Sequence, residues 1–307
     1  MILEINPLVD IVFKKLFASP EHGAVTMSFV NALLERAGLP AAKTLQILNP
    51  FQLAEFKGGR AIEVDILYAD AEGRQVQLDI QLAVHAGLAQ RMLRYWAQLY
   101  AKQAGRGEKY GAHRPVVSIW ILGKNLFRDG PEAWFHNFKA LCDETGVELH
   151  GDFRIVTIEL EKWRALLARR PRDTLSLAER WLYLLALGRG KDVSELLTML
   201  PEPEFKEAVE VMIEFVSDEH MQIYYRQQAN QESTIASYIE TGFIEGLEQG
   251  KREGLEEGIK QGIGQGIEQG AVAKAREIAA RMKALGLPPE AIAEATGLSL
   301  AEIAGIV

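Results

Sequence analysis

An α/β fold with a helical C-terminal extension is predicted by three observations. The hydrophobic period changes from helical to two after residue 60, Val116–Leu122 is an almost continuous apolar run, and eight glycines recur every four residues from Gly242 to Gly270. With 307 residues, 48% of them hydrophobic, the chain is long enough for one sizeable core and at least one smaller unit.

The elements follow in order. Asn6-Pro7 leads into apolar positions 8, 9, 12, 13, 16 and 17, which fit helical spacing. A second helix is predicted over Gly23–Arg36, ending at Gly38-Leu39-Pro40, the usual order for a helix stop. From Arg60 onward Ile62, Val64 and Ile66 alternate with Glu63 and Asp65. After a turn at Asp70–Arg74, Val76, Leu78, Ile80 and Leu82 alternate with Gln77, Asp79 and Gln81, which together read as a β-hairpin. A helix is predicted over Gly87–Gln103, then the apolar run at Val116–Leu122 as a buried central strand.

Composition narrows the function classes. The net charge of −8 is unevenly spread: residues 1–165 hold 19 Lys+Arg against 19 Asp+Glu, so the acidic excess lies downstream. A single cysteine, Cys142, excludes an internal disulfide framework and a cysteine-based zinc site, and a cytoplasmic location is expected. No stretch approaches the roughly 18 apolar residues of a membrane span, and the first residues lack a basic segment before an apolar core.

The hairpin carries the chemistry. Residues opposed across an antiparallel pair share a face, so carboxylates on odd numbers in both strands require an even register sum. A loop of about five residues gives a sum of 144, placing Asp65 opposite Asp79 and Glu63 opposite Gln81. Opposed Cβ atoms stand about 4.5–5.5 Å apart, and two acids that close repel unless a cation lies between them. Mg²⁺ suits such a pair, because it takes one or two protein carboxylates and keeps water or phosphate oxygen elsewhere. The same alternation also describes the solvated face of an ordinary half-exposed strand.

Residues 84–115 hold Arg91, Arg94, Lys102, Arg106, Lys109 and Arg114 with Glu108 as their one acid, and the helix within them carries Tyr95, Trp96 and Tyr100. A basic helix beside an acidic hairpin suits a site where carboxylates hold a metal and cations neutralise a phosphate backbone. Arg91, Arg94, Tyr95 and Lys102 are the candidate DNA contacts, with a Leu88/Met92/Trp96/Leu99 core stripe as the structural reading of that helix. Arg91 and Tyr95 are four apart and share a face.

Asn6-Pro7-Leu8-Val9-Asp10, Phe13-Lys14, Phe17, Val64-Asp65-Ile66-Leu67, Asp79-Ile80-Gln81, Arg91 with Tyr95-Trp96, Leu99-Tyr100 and Pro115-Val116-Val117 stand in a telling order. In that order and spacing, residues 5–165 resemble the Rpn family of recombination-promoting nucleases, PD-(D/E)XK-type transposases, in which a Gly-every-four tail also occurs. The resemblance implies a restriction-endonuclease-like core, a mixed sheet flanked by helices, and Mg²⁺- or Mn²⁺-dependent DNA cleavage. It assigns metal binding to Asp65 and Asp79, pairs Asp79 with Gln81 as the acid-x-Lys/Gln step, and matches Asp10 to an acid of the first helix that orients a ligand or water. Two positions depart from the pattern: Asp79 stands where the family has Glu, and Gln81 where the wider superfamily has Lys. A second function class therefore stays open, a catalytically degenerate relative acting as a DNA-binding or assembly protein.

The organisation expected is a nuclease-like domain over 1–165, a helical region over 171–232, the glycine segment over 233–270 and a small helix-turn-helix-like unit over 271–307. Glycine costs about 1 kcal/mol against alanine within a helix, so the glycine segment needs a compensating partner if it is helical. Self-association through this row is the expectation, making the protein a homo-oligomer, with a flexible linker as the alternative. In the last unit no Lys or Arg follows Lys283, which argues for packing rather than DNA reading.

Overall fold

The computed structural model describes residues 1–48, 52–53, 62–63, 65–103, 110–128, 130, 132–171 and 174–306. Arg60, Val64, Arg106, Glu108, Lys109 and the side chains of Ile62 and Glu63 lie outside the described residues. In chain order the elements begin with α1 (Asp10–Phe17), α2 (Gly23–Arg36), β1 (Gln46–Ile47), β2 (Gln52–Leu53), β3 (Ile62–Glu63), β4 (Ile66–Ala69) and β5 (Gln75–Gln81). Next come α3 (Leu88–Ala101), β6 (Val116–Leu122), β7 (Phe135–Phe138), β8 (Phe153–Glu159) and α4 (Leu160–Leu167). The remainder is helical: α5 (Leu177–Leu187), α6 (Val193–Met199), α7 (Pro203–Ser217), α8 (Glu219–Ala284), α9 (Pro289–Thr296) and α10 (Leu300–Ala304).

Six strands form one mixed sheet in the order β1-β4-β5-β6-β8-β7. The β4–β5 hairpin pairs Ile66 with Leu78 and Leu67 with Gln77, the register anticipated from the turn length. Asp70 makes that turn: its backbone pairs with Arg74, and its carboxylate accepts from the Arg74 amide at 2.8 Å and meets the Arg74 guanidinium at 2.8 Å. Gly73, at φ +82°, supplies the left-handed residue the turn requires. β5, β6 and β8 are parallel, and α3 is the crossover between the first two. The upstream half of the hairpin departs from a single long strand: Ile62–Glu63 pairs with Gln52–Leu53 in a separate two-stranded ribbon, and the chain bends at Asp65 before β4 begins.

Strand alternation gives the sheet two faces. Val76, Leu78, Val117, Ile119, Ile121, Val156 and Ile158 belong to the larger core with α1, α2, α5 and α7, where Phe17, Phe29, Trp181 and Phe205 stack at 4.3–5.9 Å. The helical segment after residue 171 thus completes the core of the sheet. α5 starts where it does because Ser176 and Glu179 form a capping box. The opposite face is covered by α3, whose Leu88, Met92, Tyr95 and Leu99 meet Leu67, Trp120, Leu122 and Ile155.

Two compact units are present, Met1–Ile239 and Glu240–Val307. Within the second, Ala279, Ile292, Leu298 and Ile303 form a small core of the last turns of α8 with α9 and α10. Gly297, at φ +71°, ends α9, and Ser299 with Glu302 caps α10. Lys283 donates to the Ile306 carbonyl at 2.6 Å, so the last basic residue closes a helix end. Residues 219–284 are helical, and a Cβ added at any of the eight tetrad glycines meets nothing within 4 Å.

Candidate active site

Asp79 is one of the most deeply buried polar residues of the molecule, 1% exposed on the α3 face of β5. That face is polar along a single line because the period of two puts Gln77, Asp79 and Gln81 together, beside Ser118 and Trp120 of β6. Trp120 Nε1 donates to Ser118 Oγ at 2.8 Å, Ser118 Oγ donates to Gln77 Oε1 at 2.8 Å, and Gln77 Nε2 donates to Asp79 Oδ2 at 2.6 Å. The chain of donors runs in one direction and fixes the Asp79 carboxyl.

Asp65 stands at the bend preceding β4, where its Oδ2 accepts from the Ile80 amide at 3.1 Å. Its carboxyl lies near enough to that of Asp79 for each acid to shift the other. Burial pushes Asp79 well above the usual carboxylate range and the Asp65 charge pushes it further, while Gln77 and Arg91 pull it back. Asp65 is also raised, first by burial and then by the Asp10 charge, with the Ile80 amide and Lys14 opposing. Both acids are thus held above the ordinary carboxylate range, Asp79 the more strongly.

Two cations flank the pair from different helices. From α1, Lys14 Nζ lies 2.9 Å from Asp10 Oδ1 and 3.7 Å from Asp65 Oδ1. From α3, Arg91 Nη1 donates to Gln81 Oε1 at 3.1 Å, and Nη2 lies 4.0 Å from Asp79. The guanidinium stacks on Tyr95 and Trp120, 4.9 and 5.6 Å from the ring centroids, which holds it against the sheet. α3 reaches this position because Gly87, at φ +88°, turns the chain out of β5 just before its first residue.

The structure brings together Asp65, Asp79, Gln81, Asp10 and Arg91. Asp10 and Gln81 line a cleft of about 120 Å³ with Leu8, Ile80, Ala83 and Ile235, roomy enough for a few waters at about 30 Å³ each. Of the residues expected to contact DNA, one faces another way and one lies farther along α3. Tyr95 is 9% exposed and packs on Trp120 at 5.6 Å, so it is a core residue rather than a surface contact. Arg94 and Lys102 are exposed, but Lys102 caps α3 eleven residues beyond Arg91, roughly 16 Å along the helix axis. Lys14 was visible as a helix residue, and its nearness to Asp65 depends on packing of α1 that no local pattern reports.

Among the described residues, no group of three or more His, Cys, Asp and Glu side chains is arranged to hold a metal. The donor set is the two carboxyls of Asp65 and Asp79, and hard oxygen donors of this kind fit Mg²⁺ or Mn²⁺ with water completing the shell. A cation there would relieve the crowding of the two acids.

A mixed sheet flanked by helices, with an acidic pair at the carboxyl end of a central strand, defines a restriction-endonuclease-like α/β fold. The family model for PD-(D/E)XK nuclease family transposases matches residues 7–242, and the chain belongs to that family. Membership supports a nuclease-type function. No curated protein and no solved structure matches the chain. No helix among the described residues is long and apolar enough to cross a membrane.

Proposed function

We propose that the protein is a divalent-metal-dependent DNA endonuclease that acts in recombination or transposition. The observation that carries this reading is the Asp65–Asp79 pair, flanked by cations from two helices. Asp65 and Asp79 would hold Mg²⁺ or Mn²⁺. Bound there, the ion supplies a water of lowered pKa and neutralises charge developing at phosphorus. Gln81, oriented by Arg91, would present its amide to the attacking water from the cleft wall, and Asp10 would orient the Asp65 flank. The rings of Tyr95 and Trp120 keep Arg91 in place, so Gln81 has one orientation.

DNA is the partner this assigns. Arg94 and Lys102, exposed on α3, offer charges to the phosphate backbone, a contribution that weakens with salt. The glycine-rich part of α8 leaves Phe243, Leu247, Leu255, Ile259, Ile263 and Ile267 exposed in the monomer, which supports a homo-oligomer formed through the C-terminal region.

Cleavage of supercoiled and linear duplex DNA in Mg²⁺, Mn²⁺ or EDTA tests the reading, with wild type compared to Asp65→Ala and Asp79→Ala. Metal-dependent cutting lost in both variants is the expected result. Retained DNA binding with no cutting by the wild type would establish the degenerate assembly protein instead.

A further inference from the structure

We propose that Lys14 is a catalytic residue of this site, its ammonium being the cation that meets the non-bridging oxygen of the scissile phosphate, an inference that rests on the nuclease reading above. Hydrolysis adds negative charge to a phosphodiester that already carries one, so the site needs a positive group aimed at the phosphorus oxygens. Gln81 at the cleft wall is neutral, and its Oε1 is already the acceptor of Arg91. Arg91 is packed on two rings and committed to Gln81 and Asp79, which leaves it little freedom to follow the substrate.

Lys14 differs on each count. Its side chain is 36% exposed, it approaches from the other flank of the acid pair, and its ammonium lies 3.7 Å from Asp65 with Asp10 as a second anchor at 2.9 Å. A four-carbon stem lets a lysine ammonium move by several ångströms, unlike a stacked guanidinium. With a cation on Asp65, Lys14 would be repelled from that carboxylate. Asp10, four residues back on the same helix, would remain its tether while the ammonium meets the phosphate. Asp10 thereby positions Lys14, which gives the acid at the cleft a role.

In the hydrolysis the water oxygen bonds to phosphorus, the P–O ester bond breaks, the water proton passes to solvent and the departing oxygen takes a proton from solvent. Lys14 keeps its proton throughout and acts by charge alone. Its effect therefore falls on the rate at saturation rather than on ground-state binding.

The test uses the full chain and compares wild type, Lys14→Ala, Lys14→Arg and Asp65→Ala. Single-turnover cleavage of plasmid DNA is measured at saturating Mg²⁺, Ca²⁺ affinity by calorimetry, and DNA affinity in Ca²⁺. Lys14→Ala is expected to slow cleavage by about 10²–10³-fold. Its DNA affinity should stay within about threefold of wild type, its Ca²⁺ affinity should be unchanged or tighter because a competing cation has left Asp65, and Lys14→Arg should regain at least about tenfold in rate. Cleavage by Lys14→Ala within about threefold of wild type overturns the proposal while leaving the nuclease reading intact. So does a slower rate matched by an equal loss of Ca²⁺ or DNA affinity, or the absence of any gain in Lys14→Arg. A wild type that cuts nothing overturns the nuclease reading and this inference with it.

Discussion

Gln77 donates to Asp79 at 2.6 Å through the one amide whose oxygen is held by Ser118, so the orientation of the acid is set two residues away on its own strand and one strand across. Ser118 is fully buried, and its loss leaves the Gln77 oxygen without a donor. Ser118→Ala is expected to lower stability by about 1–2 kcal/mol. It should also weaken metal binding by about tenfold, as loss of an outer-shell partner does. Urea denaturation and calorimetric titration with Mn²⁺ check the two effects; full metal affinity in the variant would show that Gln77 holds its orientation unaided.

A second expectation concerns the cost of the acid pair in the absence of metal. Asp79 is buried beside another acid, and Asn in its place keeps the volume and the acceptor for Gln77 while removing one ionisable group. Asp79→Asn is expected to raise stability in EDTA at neutral pH by about 1–2 kcal/mol, the stability–function trade-off of a strained site. A thermal melt that shows the variant less stable than wild type would contradict the crowding of the pair.

Gly123 follows β6 where the chain passes the end of β5, and its amide donates to the Gln81 carbonyl at 2.9 Å. A Cβ there would stand 2.5 Å from the Leu82 carbonyl oxygen, a backbone atom with nowhere to go. Gly123→Ala is therefore expected to cost about 1–3 kcal/mol through overpacking. Because the strain falls on the Gln81–Leu82 backbone, metal affinity should fall as well, read by the same titration.

The pH dependence has a definite sign at Tyr100. Its hydroxyl donates to Asp152 Oδ2 at 2.7 Å, and that bond, then partial burial and the Asp152 charge, raise it above the ordinary tyrosine value. A raised folded-state pKa contributes stability that is fully present below the unfolded tyrosine value of about 10 and is lost as pH rises through the folded value. Asp152→Asn should lower the titration of this tyrosine in difference absorbance at alkaline pH. The stability gap between variant and wild type should narrow over the same range.

The glycines of α8 yield a prediction in two directions. With no neighbour within 4 Å, alanine at Gly250, Gly254 and Gly258 is sterically accepted within the monomer. Each substitution should favour the helix by about 1 kcal/mol, visible as higher helicity on heating. If close backbone approach joins two copies, the same triple variant should self-associate more weakly in sedimentation. Unchanged association would remove the glycine row from the interface.

Much of the α/β core was legible in local pattern. α2, β5 and β6 fall where periodicity and turn residues place them, because alternation, capping and the Asp70–Gly73 turn are short-range properties. The hairpin register was legible too, since a five-residue loop leaves few alternatives. β7 and β8 were not read: Phe153–Glu159 ends in a buried Glu159 that accepts from the Phe127 amide at 2.8 Å, and no local signal says that such an acid is satisfied by a distant loop. The continuity of α8 was also hidden, because eight glycines weaken the local case for a helix.

For the candidate site the division is sharper. By itself, the sequence determined the register of the hairpin, whose sum of 144 sets Asp65 beside Asp79, although Asp65 stands at a bend just before β4. Only the tertiary structure decided that Tyr95 turns into the core, that Arg91 reaches Gln81, and that Lys14 arrives at Asp65 across 51 residues. Those placements follow from how α1 and α3 pack against the strands. Side-chain reach between elements depends on packing contacts that no local period encodes.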